Sequence, residues 1–137
     1  MEKTFMLIKP DGVERRLIGK VIERVEDAGF RIVAMHMEHL TRKKAEELYA
    51  PHRGKDFFEG LVEFMISGPV VGLILEKENA IEDLRRLVGK TDPARADVGT
   101  IRHDFGMSIR KNVVHASDSP ENASREIKIF FEEKWTE

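Results

Sequence analysis

A histidine that follows an apolar pair and opens a run of small polar residues is a candidate nucleophile. The chain holds one in Asn112-Val113-Val114-His115-Ala116-Ser117-Asp118-Ser119. Imidazole is among the side chains that form covalent intermediates, and its ordinary pKa leaves it mostly neutral at pH 7. Ser119-Pro120-Glu121 has the form of a helix start, with a cap followed by proline at the first helical position. A strand that ends at His115 and turns into a helix there would hold the ring at the mouth of a cleft. Taken alone, this context suits a structural histidine better than a nucleophile, so its company decides.

Four other histidines compete with it. His36 and His39 stand three apart on a predicted strand, so they point to opposite faces and cannot chelate one metal; one is expected at the surface and the other packed. His103, between Arg102 and Asp104, reads as solvated. His52 lies in a loop before Phe57, within reach of a phosphate but weak evidence by itself. Among the cations, Lys9 follows an apolar strand and precedes Pro10-Asp11-Gly12, so it is either a strand-end surface lysine or a phosphate ligand. Arg85 and Arg86 read alone as a solvated helix face. The chain has no Gly-x-x-x-x-Gly-Lys and no kinase-type glycine loop or His-Arg-Asp motif. A nucleotide bound here would be held by side chains, not by a glycine cradle.

The elements that must position these groups follow from hydrophobic spacing. Thr4 to Ile8 is apolar on both faces, which predicts a central strand, with Lys9 to Gly12 as a turn. Leu17, Ile18, Val21, Ile22 and Val25 predict a helix from about Arg16 to Ala28, closed by Gly29. Phe30 to Leu40 reads as a second strand. Thr41 caps a helix through Ala45, Leu48 and Tyr49, and Pro51 stops it. Asp56 with Glu59, and Asn79 with Glu82, resemble capping boxes for helices carrying Leu61, Val62 and Met65, and Ile81, Leu84 and Val88. Val70 to Leu75 reads as a central strand and Gly89 as a helix stop. Lys90 to Gly99 is expected to be a long exposed loop, with a short helical turn over Thr100 to Phe105. Asn112 to Ala116 is the fourth strand, and Ala123, Ile127, Phe130 and Phe131 mark the buried face of the last helix. Trp135 sits near a charged end. With the helical pair at 42–65 set aside, the order is β-α-β-β-α-β, the α+β ferredoxin-like pattern of a four-stranded antiparallel sheet.

Bulk properties bound the rest. The chain has 137 residues, suited to one domain over 1–137, with 41% hydrophobic and 35% charged residues. A net charge of −2 and the lack of a basic stripe disfavour nucleic acid as a partner. There is no cysteine, so disulfide and thiolate chemistry are excluded. The N-terminus does not read as a signal peptide and no run is long enough to span a membrane, so a cytoplasmic location is expected.

Together these motifs resemble the nucleoside diphosphate kinase family over essentially the whole chain. The family signature Asn-x-x-His, then Gly or Ala, then Ser-Asp, is present as Asn112 to Asp118. Lys9-Pro10-Asp11-Gly12, Tyr49, Phe57-Phe58, Leu61, Gly89-Lys90-Thr91-Asp92-Pro93 and Gly99-Thr100-Ile101-Arg102 match its other motifs. The resemblance implies an inserted helical pair and an extended nucleotide-binding loop on the ferredoxin-like sheet. It implies ping-pong transfer of the γ-phosphoryl of a nucleoside triphosphate, typically ATP, to a nucleoside diphosphate through a phosphohistidine at His115, with Mg²⁺ carried mostly by substrate. It assigns Lys9, Arg85, Arg102, Thr91 and Asn112 to phosphates and sugar. Tyr49 and His52 line the site, Phe57 stacks on the base, and Leu61 and Ile109 pack near it. Glu126 orients the nucleophile, Ser117 supports that network, and Asp118 orders the turn. It also implies a homo-oligomer, tetramer or hexamer. The alternative is a nucleotide-binding regulatory module of the same fold without turnover.

Some positions depart from common members. Ala116 stands where many carry glycine, so no positive φ is expected there. Arg53 to Asp56 lacks the proline that often precedes the paired phenylalanines, and Val98 replaces a frequent proline before Gly99. None of these removes a catalytic group.

Overall fold

The computed structural model describes residues 1–131. Its elements run β1 (Glu2–Ile8), α1 (Pro10–Glu14), α2 (Ile18–Asp27), β2 (Arg31–His39), α3 (Arg42–Leu48), α4 (Phe58–Met65), β3 (Pro69–Lys77), α5 (Ala80–Val88), α6 (Ile101–Phe105), β4 (Val114–Ala116) and α7 (Pro120–Phe131). Short 3₁₀ turns occupy Ala50–His52 and Pro93–Arg95. The sheet has the order β2-β3-β1-β4 and is antiparallel throughout. This is the expected α+β ferredoxin-like arrangement, with α3 and α4 as the inserted pair.

The double-sided apolar character of β1 and β3 has its reason in two cores. Met6, Ile8, Leu73 and Leu75 pack beneath α2 and α5 with Val21, Val25 and Leu84. Phe5, Leu7 and Ile74 pack on the other face with Leu48, Val62, Met65 and Phe130. Residues alternate faces along a strand, so each central strand feeds both cores. Phe130 lies so close over Gly72 that a Cβ added there would run into its ring. Gly72→Ala is therefore expected to destabilise the fold by roughly 1–3 kcal/mol through overpacking, read as a lower midpoint in urea unfolding.

Several local expectations need correction. Lys9 to Gly12 is not a plain turn. Lys9 is the N-cap of α1, and Pro10 takes the first helical position, where its missing N–H costs nothing. The next helix starts at Ile18 rather than Arg16, because Arg16 sits at φ 60°. Asp56 caps nothing: Phe57 is the N-cap of α4 without a side-chain bond, and Glu59 pairs with Arg42. Asn79 caps by backbone shape, in the left-handed region, and sends its amide to Asp83, while Glu82 pairs with Arg86. Long-range and helix-face ion pairs have captured the acidic partner of each predicted box. His36 and His39 are both exposed, against Glu38 and the Ile66 carbonyl respectively. The 90–99 loop is not wholly exposed, since Pro93 and Ala96 are buried. The fourth strand begins at Val114, not Asn112.

Other expectations hold. Thr41 accepts from Lys44 N at 3.1 Å, the helical turn expected over Thr100 to Phe105 is α6, and Ser119 accepts from Asn122 N. Ala116 is not at positive φ. Trp135 lies outside the described residues.

Candidate active site

The C-terminal end of β1, β4, the N-terminal half of α7, the helical pair and the loops at 89–91 and 108–112 enclose one cleft of about 1180 Å³. Every residue assigned above to nucleotide contact lines it: Lys9, Tyr49, His52, Phe57, Leu61, Arg85, Thr91, Arg102, Ile109 and Asn112, together with His115 and Glu126. Ser117 stands behind the cleft wall, fully buried. Residues from opposite ends of the chain thus share one cavity.

His115 is the centre of β4 and pairs with Leu7 across the sheet. Its ring is 22% exposed. Nε2 lies 2.9 Å from Glu126 Oε1, and the same oxygen accepts from Ser117 Oγ at 2.5 Å. Glu126 is 4% exposed on α7. The Glu126 carboxylate accepts a hydrogen bond from Nε2–H, which fixes the tautomer and leaves the lone pair on Nδ1 of a ring that lines the cleft. Ser117 therefore supports the imidazole through Glu126 rather than directly. Asp118 accepts from Asn122 Nδ2 at 2.7 Å and orders the turn into α7, as expected.

Rings lead from His115 outward. Tyr49 lies edge-on to it at 5.5 Å, His52 stacks on Tyr49 at 6.4 Å, and Phe57 follows at 5.3 Å. Burial raises the Tyr49 phenol, whose hydroxyl points at Met65 Sδ. Burial first, then Lys55, lowers the His52 imidazole. At the mouth, Phe57 is 45% exposed and Ile109 is 61% exposed, two apolar surfaces not used by the core.

The cations sit deeper. Lys9 is 5% exposed and donates to Arg110 O and to Asn112 Oδ1, both at 2.9 Å. Burial pushes its ammonium down to about 8, Asp11 opposes this, and Arg102 and Arg110 add to it. Arg102 gives its two terminal nitrogens to Gly89 O and Val114 O, while its buried Nε has no partner. Burial, helped by Arg85, lowers this guanidinium to about 10. Groups of one sign held together at a cost to their own charged forms are suited to a polyanion. Asn112 ties the cleft together: its amide nitrogen donates to Thr91 O and Ile109 O, so only its oxygen retains a lone pair for a ligand.

Sequence reasoning passed over Arg110, Lys111, Asn122 and Arg125, which also line the cleft. Asn122 and Arg125 could have been found, because Asn122 shares a helix face with Glu126 by i, i+4 spacing and with Arg125 by i, i+3. Arg110 and Lys111 lie in an irregular loop whose course leaves no periodic signal. Among the described residues, no three His, Asp or Glu side chains gather where they could hold a metal ion.

Lys9 gives a pH prediction. A lysine must be protonated to attract phosphate, and in the free protein it loses its proton as pH rises through about 8. The kcat/KM for a nucleoside triphosphate, which reports the free enzyme, is expected to fall with rising pH across that value. The alkaline limb should be absent in Lys9→Met, as judged from initial rates over roughly pH 6–10.

Comparison with known proteins agrees with this geometry. The profile of the nucleoside diphosphate kinase family matches residues 2–135. The nucleoside diphosphate kinase of Methanocaldococcus jannaschii is 54% identical over 132 residues, covering 96% of this chain and 94% of that protein. That of Archaeoglobus fulgidus is 56% identical over 131 residues, covering 96% and 87%. Among solved structures, the apo enzyme of Encephalitozoon cuniculi superposes with a TM-score of 0.96 at 39% identity, covering 100% of this chain and 93% of that one. The Halobacterium salinarum enzyme in complex with CDP superposes at 0.93 with 39% identity, covering 99% and 93%. Agreement of sequence over nearly the full length with agreement of backbone leaves one conclusion: this chain belongs to the nucleoside diphosphate kinase family, phosphotransferases acting on nucleotides.

Proposed function

We propose that the nucleoside diphosphate kinase reaction of this chain runs through His115 Nδ1. The observation that carries the reading is the Glu126–His115 contact of 2.9 Å through Nε2, inside a cleft walled by Lys9, Arg85 and Arg102. Nδ1 attacks the γ-phosphorus of a bound triphosphate in line. The bond to the β,γ-bridging oxygen breaks, the diphosphate leaves, and the ring carries the phosphoryl group. An acceptor diphosphate then binds in the same cleft, and its terminal β-oxygen takes the group back from Nδ1. Phosphorylation makes the ring cationic, and the Glu126 carboxylate stabilises that charge. Phosphoryl transfer asks for in-line placement and charge stabilisation above all. Lys9, Arg85 and Arg102 supply the charge, Thr91 and the Asn112 oxygen take phosphate and sugar, and Tyr49 and His52 shape the path. Phe57 stacks on the base, with Ile109 and Leu61 beside it.

Lys9, Arg85 and Arg102 would hold a nucleotide that carries Mg²⁺, and the ion would supply further cancellation of phosphate charge there. The cation-lined cleft fits a metal carried on the substrate better than one caged by the protein. We also read residues 1–137 as one catalytic domain of a cytoplasmic homo-oligomer, tetramer or hexamer. Among the described residues no helix is long and apolar enough to cross a membrane.

The test is incubation with γ-labelled ATP and Mg²⁺. One site is expected to take label, acid-labile and base-stable, and to pass it to any added nucleoside diphosphate. Label that will not transfer would favour a regulatory nucleotide-binding module instead.

A further inference from the structure

Val113, one residue before β4, is a buried β-branched residue at φ 79°. That region costs a β-branched side chain more than almost any other. The reason for the φ is a three-residue turn, in which Val114 N donates to Asn112 O at 2.9 Å across Val113. A γ-turn with its centre at positive φ is rare and strained. It persists only where its surroundings over-determine it.

Those surroundings come from one short segment. Lys9 N donates to Val113 O at 2.8 Å. Val113 N donates to Asp11 Oδ2 at 3.1 Å. Gly12 supplies the space, since a Cβ there would lie 2.9 Å from Ile8 Cγ2, 3.1 Å from Val113 Cγ1 and 3.2 Å from Val113 O. Both polar groups of the Val113 backbone are thus held by the start of α1, and its side chain lies against a glycine. Asp11 is 6% exposed, and its other oxygen is buried without a partner. A half-satisfied buried carboxylate is costly, and gripping the turn is the one side-chain hydrogen bond it makes among the described residues.

We propose that Asp11 is a positioning residue for phosphoryl transfer: by accepting from Val113 N it holds the strained turn that sets Asn112 on one side and His115 on the other at their working separation. The proposal rests on His115 as the phosphate carrier. The turn is the short covalent path between the two groups, so its shape fixes how a phosphate held near Asn112 meets Nδ1. Relaxing Val113 into ordinary extended backbone would redirect Asn112, and with it the Lys9 ammonium that Asn112 anchors.

The experiment measures single-turnover labelling of His115 by γ-labelled ATP with Mg²⁺, together with KM and the thermal midpoint. Asp11→Ala is expected to slow labelling at saturating ATP by roughly tenfold to a hundredfold, the scale of a misplaced reacting group, with a much smaller change in KM. Asp11→Asn keeps an oxygen for Val113 N and is expected to retain most of the rate, which also covers the case in which Asp11→Ala does not fold. The discriminating comparison uses Val113→Gly, because glycine adopts positive φ without strain. In that background, adding Asp11→Ala is expected to cost less than about threefold, since the turn no longer needs holding. A folded Asp11→Ala that labels at the wild-type rate would overturn the proposal. So would an Asp11→Ala penalty that is equally large in the Val113→Gly background, or an Asp11→Asn variant as slow as Asp11→Ala. If the wild-type chain itself takes no label, the reading of His115 falls and this role falls with it.

Discussion

Replacing His115 by alanine is expected to abolish labelling by γ-labelled ATP and to lower nucleoside diphosphate kinase turnover by roughly 10⁴-fold or more, the scale seen when a covalent nucleophile is removed. The cleft offers no substitute. Tyr49 is buried, its phenol is raised by burial, and its hydroxyl is directed at Met65. His52 shares the cavity, but one ring nitrogen lies 3.1 Å from Lys55 Nζ and the ring is turned onto Tyr49 and Phe57. The fold should survive the change, because His115 is partly exposed and its loss leaves Glu126 still accepting from Ser117. Nucleotide affinity, followed by equilibrium dialysis, should remain measurable while transfer disappears. An alanine variant that labels and turns over at the wild-type rate would remove His115 from the mechanism.

The second large effect is expected at Lys9. Lys9→Met keeps the stem and removes the charge. It should lower kcat/KM by roughly 10²–10³, about 3–4 kcal/mol, as for other single donors that stabilise developing charge. The protein holds this ammonium beside Arg102 and Arg110 and out of water, which is why its pKa falls to about 8. A lysine whose folded pKa is below its unfolded value costs stability while both states are protonated, and the cost fades as pH rises between about 8 and 10.5. At neutral pH, removing the charge relieves that cost but strands the oxygen of Asn112 and the carbonyl of Arg110. The two effects oppose each other. The urea midpoint is therefore expected to move little while activity collapses, a separation that distinguishes a functional lysine from a structural one.

The sequence carries the large elements because hydrophobic spacing reports them directly. β1 and β3 are apolar on both faces, and each serves a core on either side of the sheet. The helices α2, α5 and α7 have continuous buried stripes. The residue types alone left His115, Lys9 and Arg85 undecided; the family resemblance grouped them with the others, and the structure brings the group into one cleft. Failures cluster where backbone and long-range contacts outvote local chemistry. Pro10, Asp11 and Gly12 are turn formers, yet they make the first turn of α1, with Val13 N bonded to Lys9 O and Arg15 N to Asp11 O. Asp56 and Asn79 resemble side-chain caps, but ion pairs elsewhere take their partners. Valine carries no sign of positive φ, so the bend at Val113 could not be read from the residue that adopts it. Its sign lay near the other end of the chain, in Asp11 and Gly12.

The exposed apolar side chains of Phe57 and Ile109 at the cleft mouth have a consequence for selectivity. Both present apolar surface, exposed by 45% and 61%, and neither side chain carries a hydrogen-bonding group. Bases differ chiefly in the donors and acceptors along their edges, and these two side chains do not question those edges. What they can weigh is stacking, which every base offers to a similar degree. If a base stacks there, Phe57 and Ile109 would by themselves treat purines and pyrimidines alike, so any preference would have to come from the polar neighbours Ser108, Arg110 and Lys111.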